Sequence, residues 1–393
     1  MLTQFNSHAL NAHLTRTYPP ALFGGPPGSQ GFVDVLACHQ TADDASWYAG
    51  SADAVRRNLD AILEPVRGGR PPREVVILSG HALADVDFAG LVKAHRASGA
   101  AITLATRSVA GDKASRLGLV RVDPGTGAVT DFAEKPTGPA LTRLAHASCD
   151  ATPAAPYEAS TGVYVFDAGA LARLLAAPAA AASVDGEFVP PPAGFDMHFG
   201  ADVIPHALVA GLPVAAVHDT GPWRDVSALP DFYEAVLDLA KPPTGEAGSG
   251  PAALAAAAAV LGGRAGRVLP PCRVIRPSNI TGSLLSEGCT LDGATLDRSV
   301  VGNNVSLGHG SSVTSSILLG NDLFSASSDA PTIGANTVLS RVIVDRNAII
   351  GPDCVLTNAA GVREADRAED GYIIQDGLTV VLRGAVIPAG TII

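Results

Sequence analysis

The chain has 393 residues, enough for two domains with full cores. Hydrophobic residues make up 47% and charged residues 17%, which excludes an intrinsically disordered chain. A net charge of -11 excludes nucleic-acid binding driven by the overall field, so any anionic substrate needs local basic groups.

Five cysteines (Cys38, Cys149, Cys272, Cys289 and Cys354) are scattered without a CxxC pair. They read as reduced thiols, with neither a zinc site nor a disulfide frame. No apolar run reaches the ~18 residues that cross a bilayer, and no signal or transit peptide is visible. Met1 opens almost directly onto folded-looking sequence, as a fragment or a shortened gene model would.

From residue 1 to about 240, short apolar strands alternate with helical stretches. Ser7 is placed to cap a helix whose Leu10 and Leu14 share a face. A strand is predicted over Phe32–Ala37, then a helix carrying Ala54, Val55, Leu59 and Leu63. The β-branched run Val75-Val76-Ile77-Leu78 reads as a buried parallel strand ending at Ser79-Gly80. Further strands are predicted at 101–106, 119–122, 162–166 and 214–218, and helices at 203–209 and 228–239. Such alternation predicts a three-layer α/β domain, with ligands beyond the carboxyl ends of its strands.

Residues 241–270 read as a linker rich in Pro, Gly and Ala, with Ala252–Leu261 helical inside it. From about 272 the period changes. Apolar residues fall at Ile280, Leu285, Leu291, Leu296, Val301, Leu307, Val313 and Leu318, and resume at Ile333, Val338, Ile343, Ile349 and Val355. Steps of five or six, with Gly and Asn between, predict a parallel β-helix of hexapeptide repeats over 271–393. Tyr372–Ile393 is predicted to supply closing turns of that helix.

Several blocks carry a family resemblance: Leu2-Thr3-Gln4-Phe5-Asn6-Ser7, Trp47 through Arg56, Phe132-Ala133-Glu134-Lys135-Pro136, Leu269-Pro270-Pro271, and Gly371-Tyr372 through Thr391. Together they resemble ADP-glucose pyrophosphorylase (glucose-1-phosphate adenylyltransferase), nearly end to end and in the plant and algal pattern. The resemblance implies a Rossmann-like, GT-A-like nucleotidyltransferase domain over 1–240, followed by a left-handed β-helix for regulation and oligomerisation. It implies ATP and glucose 1-phosphate as substrates, Mg²⁺ as cofactor and phosphate-containing effectors. It also implies a hetero-tetramer with a catalytic subunit and a plastid stroma location, with no nucleic-acid or membrane partner.

By the same resemblance, Tyr48, Gly118, Glu134, Lys135 and Ser160 match positions that bind glucose 1-phosphate, and Gly50 and Asp53 match the nucleotide-facing segment. Lys135 and Asp225 carry the catalytic assignment. Asp225 is one metal position, while His81 stands where the other aspartate belongs; imidazole is a poor Mg²⁺ ligand. Arg224 stands where the family has Glu, Asp85 where it has a base, and His198 where it has Asp. Arg383 replaces an effector-binding lysine, and Ser325–Ala330 lacks the base of the corresponding stretch. The Gly-rich triphosphate loop that the family carries upstream of these blocks is absent from this sequence. The departures favour a regulatory, large-subunit-like chain with little catalysis of its own. The alternatives are an active enzyme from a truncated gene model and a scaffold subunit.

Overall fold

The two periodicities build two different kinds of sheet. The structure is a computed structural model that describes residues 1–18, 31–38, 46–65, 69–145, 156–176, 197–241, 269–322 and 331–393. The expected helix at Ala252–Leu261, most of the 241–270 linker, Ser325–Ala330 and Cys149 lie outside the described residues. The chain divides into two units, Met1–Trp223 and Arg224–Ile393.

In the first unit, β1 (Leu2–Thr3) pairs in parallel with β2 (Leu36–Ala37), with α1 (His8–Thr17) between them in sequence. Ser7 sits at the N-cap position of α1, but its hydroxyl accepts from Asn11 Nδ2 and caps no backbone amide. Leu14 is buried and Leu10 is exposed. The strand expected over Phe32–Ala37 shrinks to β2, and Phe32, Val33 and Val35 are exposed. The helix expected around Ala54–Leu63 breaks at Asn58 into α2 (Ser51–Arg57) and α3 (Leu59–Leu63).

The main sheet contains β3 (Glu74–Leu78), β5 (Ile102–Val109), β6 (Gly118–Val122), β7 (Val129–Glu134), β8 (Tyr157–Asp167) and β9 (Val214–His218). A short strand β4 (Ala82–Ala84) follows β3. The order is β7-β6-β8-β5-β9, with β3 also paired to β8. Strand β8 is antiparallel to β3, β5 and β6, and only β5 with β9 runs parallel. The expectation of a buried parallel strand at Val75–Leu78 is therefore corrected. That strand runs antiparallel to β8, and Val76 and Leu78 are 37% and 55% exposed. Four consecutive apolar residues fit an edge strand as well as a central one, so the run did not specify its neighbours.

Helix α4 (Phe88–Ser98) illustrates the local logic. The Asp87 carboxylate accepts from the Gly90 amide at its start, and Gly99 ends it in the left-handed region at φ 64°. Its buried face presents Leu91 and His95. The helices α5 (Gly111–Ala114), α6 (Gly138–Leu144), α7 (Ala168–Ala176) and α8 (Ile204–Val209) complete the layers. The largest core cluster of this unit joins Ile102, Leu104, Phe132, Phe166, Leu171 and Ile204. Each such side chain contributes roughly 1.5–3 kcal/mol by leaving water.

Strand β10 (Trp223–Asp225) spans the boundary of the two units. In the second unit, α9 (Leu229–Asp238) lays Tyr233 and Val236 against Val300, Ile317, Ile343 and Leu378. The first β-helix coil is β11 (Arg273–Arg276), β12 (Asn279–Thr281) and β13 (Leu284–Leu285). The second is β14 (Thr290–Asp292), β15 (Thr295–Asp297) and β16 (Val300–Val301). All three faces stack in parallel register, so Leu296, Val313, Leu339 and Leu356 form one buried row. Asn304, Asn336, Asn347 and Asp353 take positive φ at the corners, which short polar side chains tolerate. The closing stretch differs from expectation. Tyr372–Gln375 pairs antiparallel with both Ala365–Arg367 and Leu378–Val381, whereas Leu378–Val381, Val386–Ile387 and Ile392 rejoin parallel coils. A hairpin caps the last coil's sheet, because the turn at Asp376-Gly377 supplies two positive-φ residues.

Candidate functional site

Strand β7 delivers Glu134 opposite Gly118 of β6, and the next residue, Lys135, turns the chain at φ 46°. The Lys135 amide donates to the Leu117 carbonyl at 3.0 Å, which holds that turn. The Glu134 carboxylate lies over two glycines. A Cβ on Gly118 would sit 2.8 Å from its Oε2, and one on Gly200 would overlap it outright. Glu134 is exposed as a residue, yet its carboxyl is packed against these backbones, and that desolvation pushes its pKa up. Lys135, His198 and His81 oppose the shift in that order, so all three stand within electrostatic reach.

Ser160 of β8 supplies the second wall. Its hydroxyl accepts from the Gly162 amide at 3.2 Å and meets the Tyr164 hydroxyl at 3.5 Å. Burial pushes the Tyr164 hydroxyl up to about 12, with Glu134 adding to the shift. The Ser79 amide donates to the Gly162 carbonyl at 2.9 Å, so the end of β3 is tied to β8. His81, two residues on, places Nε2 3.4 Å from the Ser79 hydroxyl. Trp223 donates from Nε1 to the Thr161 carbonyl at 3.0 Å, with the Arg107 guanidinium 5.6 Å above its ring.

The segment around Tyr48 joins this cluster through Met197 and His198. The Ala52 and Asp53 amides donate to the Met197 carbonyl, and Met197 donates to the Ala49 carbonyl. Gly50 adopts φ 109°, where a Cβ would run into the Met197 carbonyl. The Ser51 amide donates to His198 Nδ1 at 3.4 Å. Tyr48 accepts from Asn58 Nδ2 at 2.8 Å, and burial raises its pKa.

Asp53, expected to face nucleotide, is 2% exposed. Its carboxylate accepts from the Ala49 amide and from both Arg56 and Arg57. These contacts pin the 46–57 segment. Arg383, the expected effector residue, donates to Asp322 Oδ2 at 3.1 Å, and Arg346 donates to Oδ1 at 2.9 Å. Asp225 lies in the second unit, where both its oxygens accept from Ser227, at 2.8 and 3.0 Å. Gly118, Glu134, Lys135 and Ser160 thus gather in the first unit, with His81, His198 and Tyr164 beside them. Gly200 and Tyr164 escaped the residue-by-residue reading. A glycine after Phe199 and a tyrosine four residues beyond Ser160 look like packing until the carboxylate lands on them.

Two family models cover nearly the whole chain. The Nucleotidyl transferase model matches residues 1–242, and the GLGC left-handed parallel beta-helix domain matches residues 267–392. The glucose-1-phosphate adenylyltransferase small subunit, chloroplastic/amyloplastic, of Triticum aestivum is 32% identical over 411 aligned residues. That alignment covers all of this chain and 80% of the relative. The chain belongs to the ADP-glucose pyrophosphorylase family. It is a nucleotidyltransferase-family protein in which a left-handed β-helix follows the α/β domain along the sequence.

The family generally uses Mg²⁺. The donors in this chain fit it poorly. Position 81 offers an imidazole, a poor Mg²⁺ ligand. Among the described residues, no three His, Cys, Asp or Glu side chains converge as a metal site. No helix among them is long and apolar enough to cross a membrane.

Proposed function

We propose that this chain is a regulatory-type subunit of glucose-1-phosphate adenylyltransferase, binding glucose 1-phosphate at Glu134, Lys135 and Ser160 while turning over little by itself. The observation that carries this reading is the pair of imidazoles within electrostatic reach of the Glu134 carboxyl, His81 and His198, where the family has aspartates. Carboxylates at those positions would add negative charge for a cation; imidazoles do not. Lys135 supplies a point charge for the sugar phosphate. Glu134 accepts from sugar hydroxyls, and its raised pKa fits a carboxyl held away from water until a ligand donates to it. Gly118 and Gly200 leave the room this needs. Tyr48, Gly50 and Asp53 hold the nucleotide-facing segment, with Asp53 acting through Arg56 and Arg57.

The supported reaction class is ATP plus glucose 1-phosphate giving ADP-glucose and pyrophosphate, by in-line attack of the sugar phosphate on the α-phosphorus. Catalysis in such a site is positioning plus electrostatics, and no covalent enzyme intermediate is needed. The regulatory reading further places the chain in a hetero-tetramer with a catalytic subunit, in the plastid that the wheat relative's name specifies. Arg383 and Arg346 would meet phosphate-bearing effectors after releasing Asp322. A second reading, an active adenylyltransferase, is favoured by the retained Lys135 and Asp225.

Pyrophosphate release from ATP and glucose 1-phosphate, assayed for the chain alone and with a catalytic-type partner, separates the two. Turnover only with the partner, with a changed effector response, is the expected result. Full turnover by the chain alone overturns the regulatory reading.

A further inference from the structure

We propose that Cys272 and Cys289 form a reversible disulfide that staples the first coil of the β-helix to the second. The register places them side by side. Strands β11 and β14 run parallel with Arg273 opposite Thr290, so the residues just before each are lateral neighbours. The Arg273 amide donates to the Cys289 carbonyl at 2.8 Å, which continues the ladder through the pair. Neighbouring strands lie about 4.8 Å apart, inside the roughly 4.4–6.8 Å of Cα separation that a disulfide spans. The thiols also sense one another, since Cys272 is among the charges that raise Cys289.

Access differs between them. Cys272 is exposed, whereas Cys289 is 1% exposed and directs its Sγ at the Gly302 carbonyl, 3.2 Å away. Cys272 is therefore the sulfur a reagent reaches first. The first coil also has slack. Val274, Ile275 and Ile280 are all exposed, and the ladder shifts register between Val274 and Arg276. A strand bonded on one side moves more readily than one held between two neighbours. The other described cysteines have no such arrangement: Cys354 is enclosed with Sγ on the Pro388 carbonyl, and Cys38 faces the Ser46 carbonyl.

The reaction needs a disulfide reagent, of low molecular weight or on a protein. The Cys272 thiolate attacks one reagent sulfur, forming a mixed disulfide and expelling a thiolate. The Cys289 thiolate then attacks Cys272 sulfur and expels the second. Two protein thiols are oxidised to one disulfide, the reagent is reduced to two thiols, and the two protons end on those leaving groups. Burial pushes both cysteine thiols up, Cys289 to about 11, so the exchange is slow near neutrality and quickens as pH rises.

The test uses the full chain, oxidised glutathione at mildly alkaline pH, and peptide mapping without reductant. The expected product is a peptide pair joined through Cys272 and Cys289, reversed by dithiothreitol, with slower hydrogen exchange over residues 273–281. The Cys289→Ser variant should stop at a stable glutathione adduct on Cys272, and Cys272→Ser should give neither product. A wild-type chain that keeps a stable glutathione adduct on Cys272, leaves both thiols free, or links Cys272 to another molecule overturns the proposal. These readouts do not involve adenylyl transfer, so they stand or fall apart from the function proposed above.

Discussion

Glu134 combines a proposed role in ligand binding with a cost in stability. Its folded pKa is raised above the ordinary carboxyl value by desolvation. Between those two pKa values the folded state holds more protons than the unfolded state. Stability from this group is therefore full below the unfolded pKa and falls as pH rises through the folded one. Glu134→Gln should remove that dependence: the variant should resist urea better than the parent at neutral pH, with the difference vanishing in acid, while losing glucose 1-phosphate affinity. Equal urea midpoints at neutral pH would contradict this account. Gly200 gives the complementary test. A Cβ there displaces the carboxylate without touching its charge. Gly200→Ala should weaken glucose 1-phosphate binding about tenfold or more by calorimetry, since losing a charged hydrogen bond costs roughly 1.5–3 kcal/mol. His81 and Asp225 were visible as chemistry in the sequence. Gly200 was not, because a glycine declares a close approach only once its neighbour in space is known.

Among the elements, the β-helix was the most legible. Its inward row recurs every five or six residues, and each coil must bury that row on the next. Leu296 sits in this row with 1% exposure, stacked on Val313. Leu296→Ala should cost about 2–5 kcal/mol in chemical unfolding of the β-helix, as buried Leu→Ala changes do. A loss under about 1 kcal/mol would mean that the row collapses to fill the gap. The antiparallel hairpin at Tyr372–Val381 was missed because its apolar residues keep the repeat's spacing while the chain reverses. Strand β3 was misread for a related reason. Its residues are apolar on both faces, and only pairing with β8 reveals an antiparallel edge. Local pattern records which residues avoid water; strand direction is a property of pairs.

In the whole molecule, each unit carries its own core, and the assignment of α9 depends on contacts that no local pattern contains. The Nucleotidyl transferase match extends to residue 242, yet Tyr233 and Val236 lie against Val300, Ile317 and Leu378 of the β-helix. The Tyr233 hydroxyl donates to the Ser315 carbonyl, and Arg341 lies 5.9 Å from its ring. A fragment 224–393 should melt cooperatively by calorimetry, and one starting at 269 should melt several degrees lower and bind more of a hydrophobic dye. Equal melting of the two would show that α9 adds nothing to the β-helix.

The sequence by itself determined the family, the change from α/β alternation to coiled repeats, and the residue types at the proposed sugar-phosphate positions, because these rest on order and spacing along the chain. Tertiary structure alone decided that the Glu134 carboxyl lies on Gly118 and Gly200 within electrostatic reach of His81 and His198, that Arg383 is held by an ion pair to Asp322, and that Cys272 abuts Cys289. Each of these joins residues far apart in the sequence, and burial, strain and charge coupling exist only once the fold has made that meeting.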